Sequence, residues 1–257
     1  MTEYRPFHNN SWSGFISSKL NEMDFAPEKL AGQGELIVCK PNRMVRRLDL
    51  AGMTVYAKWF APPKSIIKRV LRKPLVFKLL NIHQAMLSSE IGCAEPLLAA
   101  VSGDISQEKN QLFVYKEVPY PSITQRLQRE ASSRAADIYQ TAAQAIATLH
   151  NAGFVHGDCL PGNICLSDDG KAFFIDNDRT VRSLPILHAW QERRNLIQFC
   201  AHAALQQIMS REMQHCFLAR YFDFRSQKLP SLATLLDRIE ARRQEIQRQK
   251  GNATQKR

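Results

Sequence analysis

Three oxygen-bearing side chains stand out: Asp158 in His156-Gly157-Asp158-Cys159-Leu160-Pro161-Gly162-Asn163, Asn163 at the end of that stretch, and Asp176 closing the apolar run Phe173-Phe174-Ile175. An acid, an amide five residues on and a second acid after a strand form the pattern that kinase-type phosphoryl transfer requires. A hydroxyl nucleophile needs a carboxylate within hydrogen-bonding reach to orient it and take its proton, which makes Asp158 the expected catalytic base. Magnesium on ATP phosphates takes a few hard oxygen ligands and keeps the rest as water, which suits the amide oxygen of Asn163 and the carboxylate of Asp176. Asp, Asn and Gly are also ordinary turn residues. Three functional types at fixed offsets outweigh that reading.

These residues need elements to hold them. Asn163 to Ser167 and Lys171 to Ile175 flank Asp168-Asp169-Gly170, a hairpin turn signal, so Asn163 and Asp176 are expected at the two open ends of one hairpin. Upstream, Glu35 to Lys40, Met44 to Leu50 and Met53 to Phe60 read as strands, with Ala51-Gly52 turning between the last two. Lys58 lies in Val55-Tyr56-Ala57-Lys58, a V-x-x-K arrangement like the strand that carries the nucleotide-binding lysine of kinases. Leu75 to Ser89 has apolar residues at helical spacing, Pro96 to Val101 and Gln111 to Val118 read as two more strands, and Pro119-Tyr120-Pro121 ends the pattern. A hinge between lobes belongs there, with backbone groups near Glu117 and Val118 placed to bind an adenine edge. Beyond it the chain reads as helical: from about Ser132 into the Asp158 loop, then Leu187 to Met209, Ser210 to Tyr221 and Leu232 to Gln249. Trp190, Phe199, Phe217, Tyr221, Phe222 and Phe224 are expected in its core.

The fold class is therefore α+β, a protein-kinase-like two-lobe arrangement. Residues 1–118 form a small β-rich nucleotide-binding lobe with an N-terminal extension, 119–241 a larger helical catalytic lobe, and 242–257 a basic tail that frays into disorder. No run of about 18 apolar residues spans a membrane, and the polar start of the chain has no signal-peptide core, so the cytoplasm is expected. Six scattered cysteines, without a C-x-x-C pair, read as small buried hydrophobes, and Cys159 lacks the His partner of a nucleophilic thiol. A net charge of +11 favours anionic partners without choosing among them. Lys64, Lys68, Arg69, Arg72 and Lys73 alternate with Ile66, Ile67, Val70 and Leu71, a stretch suited to an anionic membrane surface or to core packing. No nucleic-acid partner is expected, since the basic residues do not interleave with stacking aromatics.

Tyr56-Ala57-Lys58, Ile91-Gly92-Cys93-Ala94-Glu95-Pro96, His156-Gly157-Asp158 with Asn163, and above all Ile175-Asp176-Asn177-Asp178-Arg179 resemble the bacterial lipopolysaccharide core kinase family, the relatives of Kdo kinase and heptose kinase. The resemblance runs from about Val45 to Tyr221. It implies Asp158 as base, Asn163 and Asp176 on magnesium, and Lys58 on ATP; Asp178 and Arg179 are further candidates for phosphate or substrate contact. It also implies transfer to a Kdo or heptose hydroxyl of lipid A carrying core sugars, on the cytoplasmic face of the inner membrane. The sequence departs from protein kinases in four ways. Lys40-Pro41-Asn42-Arg43 replaces a glycine-rich loop, the helix after Pro74 offers Asn81 or His83 instead of a Glu to face Lys58, Leu160 stands where a phosphate-binding Lys is common, and Gly157 replaces an Arg. A small-molecule phosphotransferase of the aminoglycoside or choline type, or a non-catalytic pseudokinase, is the alternative.

Overall fold

In the computed structural model, residues 2–9, 11–21, 27–62, 73–103, 110–130, 134–225 and 231–254 are described. The basic stretch 64–72 and the tail's end at 255–257 lie outside them. The chain divides into two compact units, Met1–Val118 and Pro119–Arg257.

The N-terminal unit is one antiparallel sheet of β1 (Tyr4–Asn9), β2 (Trp12–Ser17), β3 (Glu35–Lys40), β4 (Arg43–Leu50), β5 (Met53–Phe60), β6 (Pro96–Ser102) and β7 (Gln111–Lys116), in the order β1-β2-β6-β7-β5-β4-β3. Alternation explains the strands: Leu48 and Leu50 of β4 and Val55, Ala57 and Trp59 of β5 enter one core, while Arg47 and Asp49 of β4 are exposed. Ala51 and Gly52 both have positive φ, 49° and 73°, the twist a two-residue hairpin demands. Pro41-Asn42 closes the β3–β4 hairpin as tightly, with Lys40 opposite Arg43, so no long phosphate-cradling loop fits there.

The first two strands were not apparent in the sequence, which reads as a polar extension. The structure adds β1 and β2 to the sheet edge, with Phe7, Trp12 and Ile16 buried in its core. Gly14 makes the docking possible, because a Cβ there would stand 2.0 Å from the Ala99 carbonyl oxygen on β6. A single helical turn, α1 (Pro27–Leu30), follows, and α2 (Leu75–Ser88) covers part of the sheet. Its spacing puts Val76, Leu79, Leu80, His83 and Met86 on the buried side, with Val76, Leu79 and Leu80 against Phe60, Ala99 and Phe113. Each such aliphatic burial stabilises by about 1.5–3 kcal/mol.

The C-terminal unit is mainly helical: α3 (Ile123–Arg129), α4 (Ala135–Asn151), α5 (Pro185–Leu205), α6 (Arg211–Phe224) and α7 (Leu232–Thr254). Ser122 starts α3 with a reciprocal capping box to Gln125, and Ser210 caps α6 through the Met213 amide. Gly153, at φ 78°, ends α4 and turns the chain into β8 (Phe154–Val155). The expected start of α4 near Ser132 lies outside the described residues, α5 runs from Pro185 to Leu205 instead of Leu187 to Met209, and α7 continues to Thr254, past the expected Gln249 and into the tail. Glu240–Arg243 and Arg242–Glu245 pairs line this last stretch. Two aromatics are not core residues: Trp190 is 60% exposed and Phe224 sits at the surface, whereas Phe199, Phe217, Tyr221 and Phe222 are buried. Cys39 and Cys216 are likewise exposed, so only four of the six cysteines behave as buried hydrophobes. No described helix is long and apolar enough to cross a membrane.

Candidate active site

Two loops of the C-terminal unit carry the predicted acid and metal ligands. The first, residues 156–163, joins β8 to β9 (Ile164–Leu166) and includes a 3-10 turn at Pro161–Asn163; the second, residues 175–180, joins β10 (Ala172–Phe174) to β11 (Val181–Arg182). Short pairings clamp both. β9 and β10 form the expected hairpin with Ile164 opposite Phe174, and β11 pairs with β8 through Val181 and Val155. The hairpin extends one bond further, the Ile175 amide donating to the Asn163 carbonyl at 3.0 Å, which brings Asn163 beside the residue that precedes Asp176.

Side chains then fix the loops. His156 is buried, its Nε2–H donating to the Ile175 carbonyl at 3.0 Å and its Nδ1 accepting from the Asp158 amide at 3.2 Å. One neutral imidazole thus ties Asp158 to the loop that carries Asp176, and burial holds its pKa down. Asn163 donates Nδ2–H to the Asp158 carbonyl at 2.9 Å, which leaves its amide oxygen, the hard donor, as the atom available to a cation. Asp176 takes φ 56°, ψ 47°, a left-handed conformation that costs a non-glycine residue about 1 kcal/mol and is tolerated best by Asn and Asp. Gly157 has a steric reason to be glycine, since a Cβ there would lie 2.4 Å from the Arg179 carbonyl oxygen. The two loops therefore touch backbone to backbone. Asn177 is buried and stiffens the second loop, donating to the Phe174 carbonyl and accepting from the Thr180 hydroxyl.

Beneath the loops lies a polar network that the sequence reading did not find. Asn195 of α5 accepts from the His156 amide at 3.1 Å and donates to the His156 carbonyl at 2.7 Å. Its oxygen also accepts from His150 Nε2 at 3.1 Å, and His150 Nδ1 accepts from the Tyr221 hydroxyl at 2.7 Å. Burial pushes the His150 pKa down to about 3, so this imidazole stays neutral. Three residues along α5 from Asn195, Gln198 donates to the Asp158 carboxylate at 2.8 Å, and His202 follows on the same helical stripe with its pKa lowered by burial. The one sequence clue was polar residues at i, i+3 and i+7 on a helix otherwise assigned to packing. Cys159 and Cys200 are fully buried and burial raises both thiols, which rules out a nucleophilic role for Cys159.

The nucleotide residues belong to the N-terminal unit. Lys58 pairs with Val45 and Phe113 across the sheet, is 4% exposed, and holds its ammonium 5.4 Å from the Tyr115 ring centroid. Of the two helix candidates, Asn81 is exposed and His83 faces the sheet, packed on Phe113 and bonded to the Ala94 carbonyl at 2.8 Å. Glu117 differs from expectation in what it has left to offer. Its carboxylate forms a two-bond pair with Arg47 at 2.8 and 2.9 Å, which lowers its pKa, and its amide donates to the Thr54 carbonyl at 2.9 Å. Only its carbonyl and the Val118 backbone remain for an adenine edge.

A model of the lipopolysaccharide kinase (Kdo/WaaP) family matches residues 69–221. The chain belongs to this family. The matched span holds both of these loops, Asn195, Gln198 and, at its last residue, Tyr221; Lys58 lies before it. A solved structure described as WaaP in complex with acyl carrier protein matches with TM-score 0.63 at 17% identity, over 85% of this chain and 91% of that one. At that identity the likeness shows the fold, which is protein-kinase-like. No curated protein matches the sequence. Family membership makes the chain a kinase-type phosphotransferase of lipopolysaccharide synthesis.

Proposed function

We propose that the chain transfers the γ-phosphoryl group of ATP to a hydroxyl of an inner-core sugar, Kdo or a heptose, on lipid A at the cytoplasmic face of the inner membrane. The observation that carries this reading is the locked pair of loops: Asp158 and the Asn163 amide oxygen, joined through His156 and Ile175 to Asp176, in a chain of the lipopolysaccharide kinase family. Asp158 accepts the sugar hydroxyl proton as the sugar oxygen bonds to phosphorus and the bond to the ADP oxygen breaks. Gln198 keeps the carboxylate oriented for this. Two hard oxygens, from Asn163 and Asp176, would hold magnesium, which when bound neutralises phosphate charge. Lys58 contacts the nucleotide phosphates, the Glu117 carbonyl and Val118 backbone take the adenine edge, and Asp178 and Arg179 contact phosphate or sugar. A phosphate-binding Lys two residues after the base is replaced here by Leu160, so Arg179 is the cation next to the loop that meets developing charge.

Labelled ATP with lipid A–core acceptors of defined sugar content, read by mass spectrometry, tests this directly. One phosphate should appear on a core sugar, and Asp158→Asn should lower turnover by roughly a hundredfold or more while the fold is kept. Asp176→Asn should also weaken magnesium-dependent nucleotide binding. Phosphate appearing only on soluble amines or alcohols, or turnover indifferent to Asp158→Asn, would overturn the reading.

A further inference from the structure

The start of α5 carries the three most exposed large apolar side chains among the described residues, Ile186, Leu184 and Trp190, with Leu187 beside them. Leu184 is 66% exposed, Ile186 93%, Leu187 43% and Trp190 60%. On a helix, positions 186, 187 and 190 share one side, and Leu184 immediately precedes the first turn. These side chains protrude, with nothing packed around Ile186 to hold it. Water-facing apolar groups of this size at successive positions mark a surface that another phase covers.

The surrounding charge identifies that phase. Arg182 before the patch and Arg193 and Arg194 after it are exposed, and the Arg194 guanidinium lies 5.7 Å from the Trp190 ring centroid. The acid in this stretch, Glu192, is 4% exposed and paired with Arg225 and His188, so it contributes no outward negative charge. The first turn of α5 contains no acidic residue and no side-chain cap, so its amide groups add positive potential at the same end. Protruding aliphatics, a tryptophan at their edge and a rim of arginines are the composition that settles at the boundary of headgroups and acyl chains. A protein partner would instead require a shaped recess to receive Ile186.

We propose that Leu184, Ile186, Leu187 and Trp190 dock the C-terminal unit onto an anionic phospholipid bilayer, with Arg182, Arg193 and Arg194 on the headgroups. The patch begins a few residues after the loop that ends at Thr180, with β11 and Ser183 between them. A sugar acceptor anchored in the same bilayer would thus be presented beside Asp158 and Asp176. The identity of that acceptor rests on the function proposed above, whereas the docking surface rests on exposure and charge.

Vesicles of phosphatidylethanolamine with phosphatidylglycerol, compared with neutral phosphatidylcholine, provide the test on the full chain. Trp12 and Trp59 are buried, so blue-shifted emission and quenching by brominated lipid would report Trp190. Binding to anionic vesicles is expected, with Ile186→Asp lowering the partition coefficient by about tenfold. Arg193→Gln with Arg194→Gln should lower it by about tenfold more and flatten its salt dependence. Ile186→Asp should leave phosphorylation of a delipidated, water-soluble core oligosaccharide unchanged and slow that of vesicle-embedded acceptor. Equal binding by parent and variants would overturn the proposal, as would no vesicle binding by the parent, including the case where Ile186→Asp abolishes capture of a small acidic protein instead. If the parent phosphorylated neither acceptor, the functional reading would fail, while the vesicle result would still decide the surface.

Discussion

The two units hold their key charges by opposite means. Lys58 sits in the middle of a sheet, where strand register alone points its side chain inward, and aromatic and apolar neighbours such as Tyr115 and Phe113 shape its surroundings. Asp158 sits on a loop with no periodicity to aim it, and its position comes from hydrogen bonds reaching it through His156, Asn163 and Gln198. Sheet geometry tolerates substitution because the backbone does the placing. A buried polar network does not, because each member satisfies the next, and removing one strands its partners.

The largest contrast should come from Asn195→Ala. It leaves the His156 amide, the His156 carbonyl and His150 Nε2 without a partner, at about 3 kcal/mol or more of stability. The matching change in the other unit, Tyr115→Leu, removes the ring near Lys58 but keeps an apolar neighbour and should cost about 1 kcal/mol. Denaturation midpoints of the two variants measure the difference; equal losses would erase the contrast drawn here. Gly157→Ala comes next. The added methyl group must push the Arg179 backbone away from the base loop, so about 1–3 kcal/mol of stability and roughly tenfold in turnover should go together. Activity retained at the parental level would show that the loops need not touch.

The same contrast explains what was legible beforehand. β3, β4 and β5 could be read to within a residue because alternation and the Ala51-Gly52 turn are local signals. The hairpin of β9 and β10, which follows Asn163 and precedes Asp176, was legible because its turn signal is local too. β1 and β2 were missed: their apolar residues are few, and what makes them strands is the close approach of Gly14 to β6, a contact far away in sequence. Asn195 and Gln198 were missed for the same reason. They meet the base loop about forty positions away, and on a helix polar residues at that spacing resemble a solvated face. Trp190 was misassigned because aromatic residues are usually interior, and neither its exposure nor its arginine neighbour is visible in a helical pattern.

Gln198 sharpens the comparison further, because it touches the base without being part of the deeper network. In Gln198→Ala the carboxylate of Asp158 loses one donor and gains rotamer freedom, while His156 and Asn195 remain paired. Turnover should fall about fivefold with KM unchanged and the thermal midpoint within a degree or two of the parent. A matching rise in KM, or a large loss of stability, would place Gln198 among structural residues.

The smallest effect is a pH dependence confined to the C-terminal unit. Burial depresses the pKa of His150 to about 3 and lowers those of His156 and His202, so the native unit resists protonation that the unfolded chain accepts near pH 6.5. The unfolded state therefore binds more protons below that pH, and the stability these residues confer is complete above pH 6.5 and declines as the pH falls toward the folded values. Each contributes a slope of up to about 1.4 kcal/mol per pH unit. Glu192 opposes them, because burial raises its pKa and acidification relieves its charge. The net result is a lower urea midpoint at pH 5 than at pH 7 in the helical circular dichroism signal. His150→Gln, which removes one of the suppressed protonation sites, should flatten that fall, and an unchanged slope would mean that the imidazole is reached by protons before the unit opens.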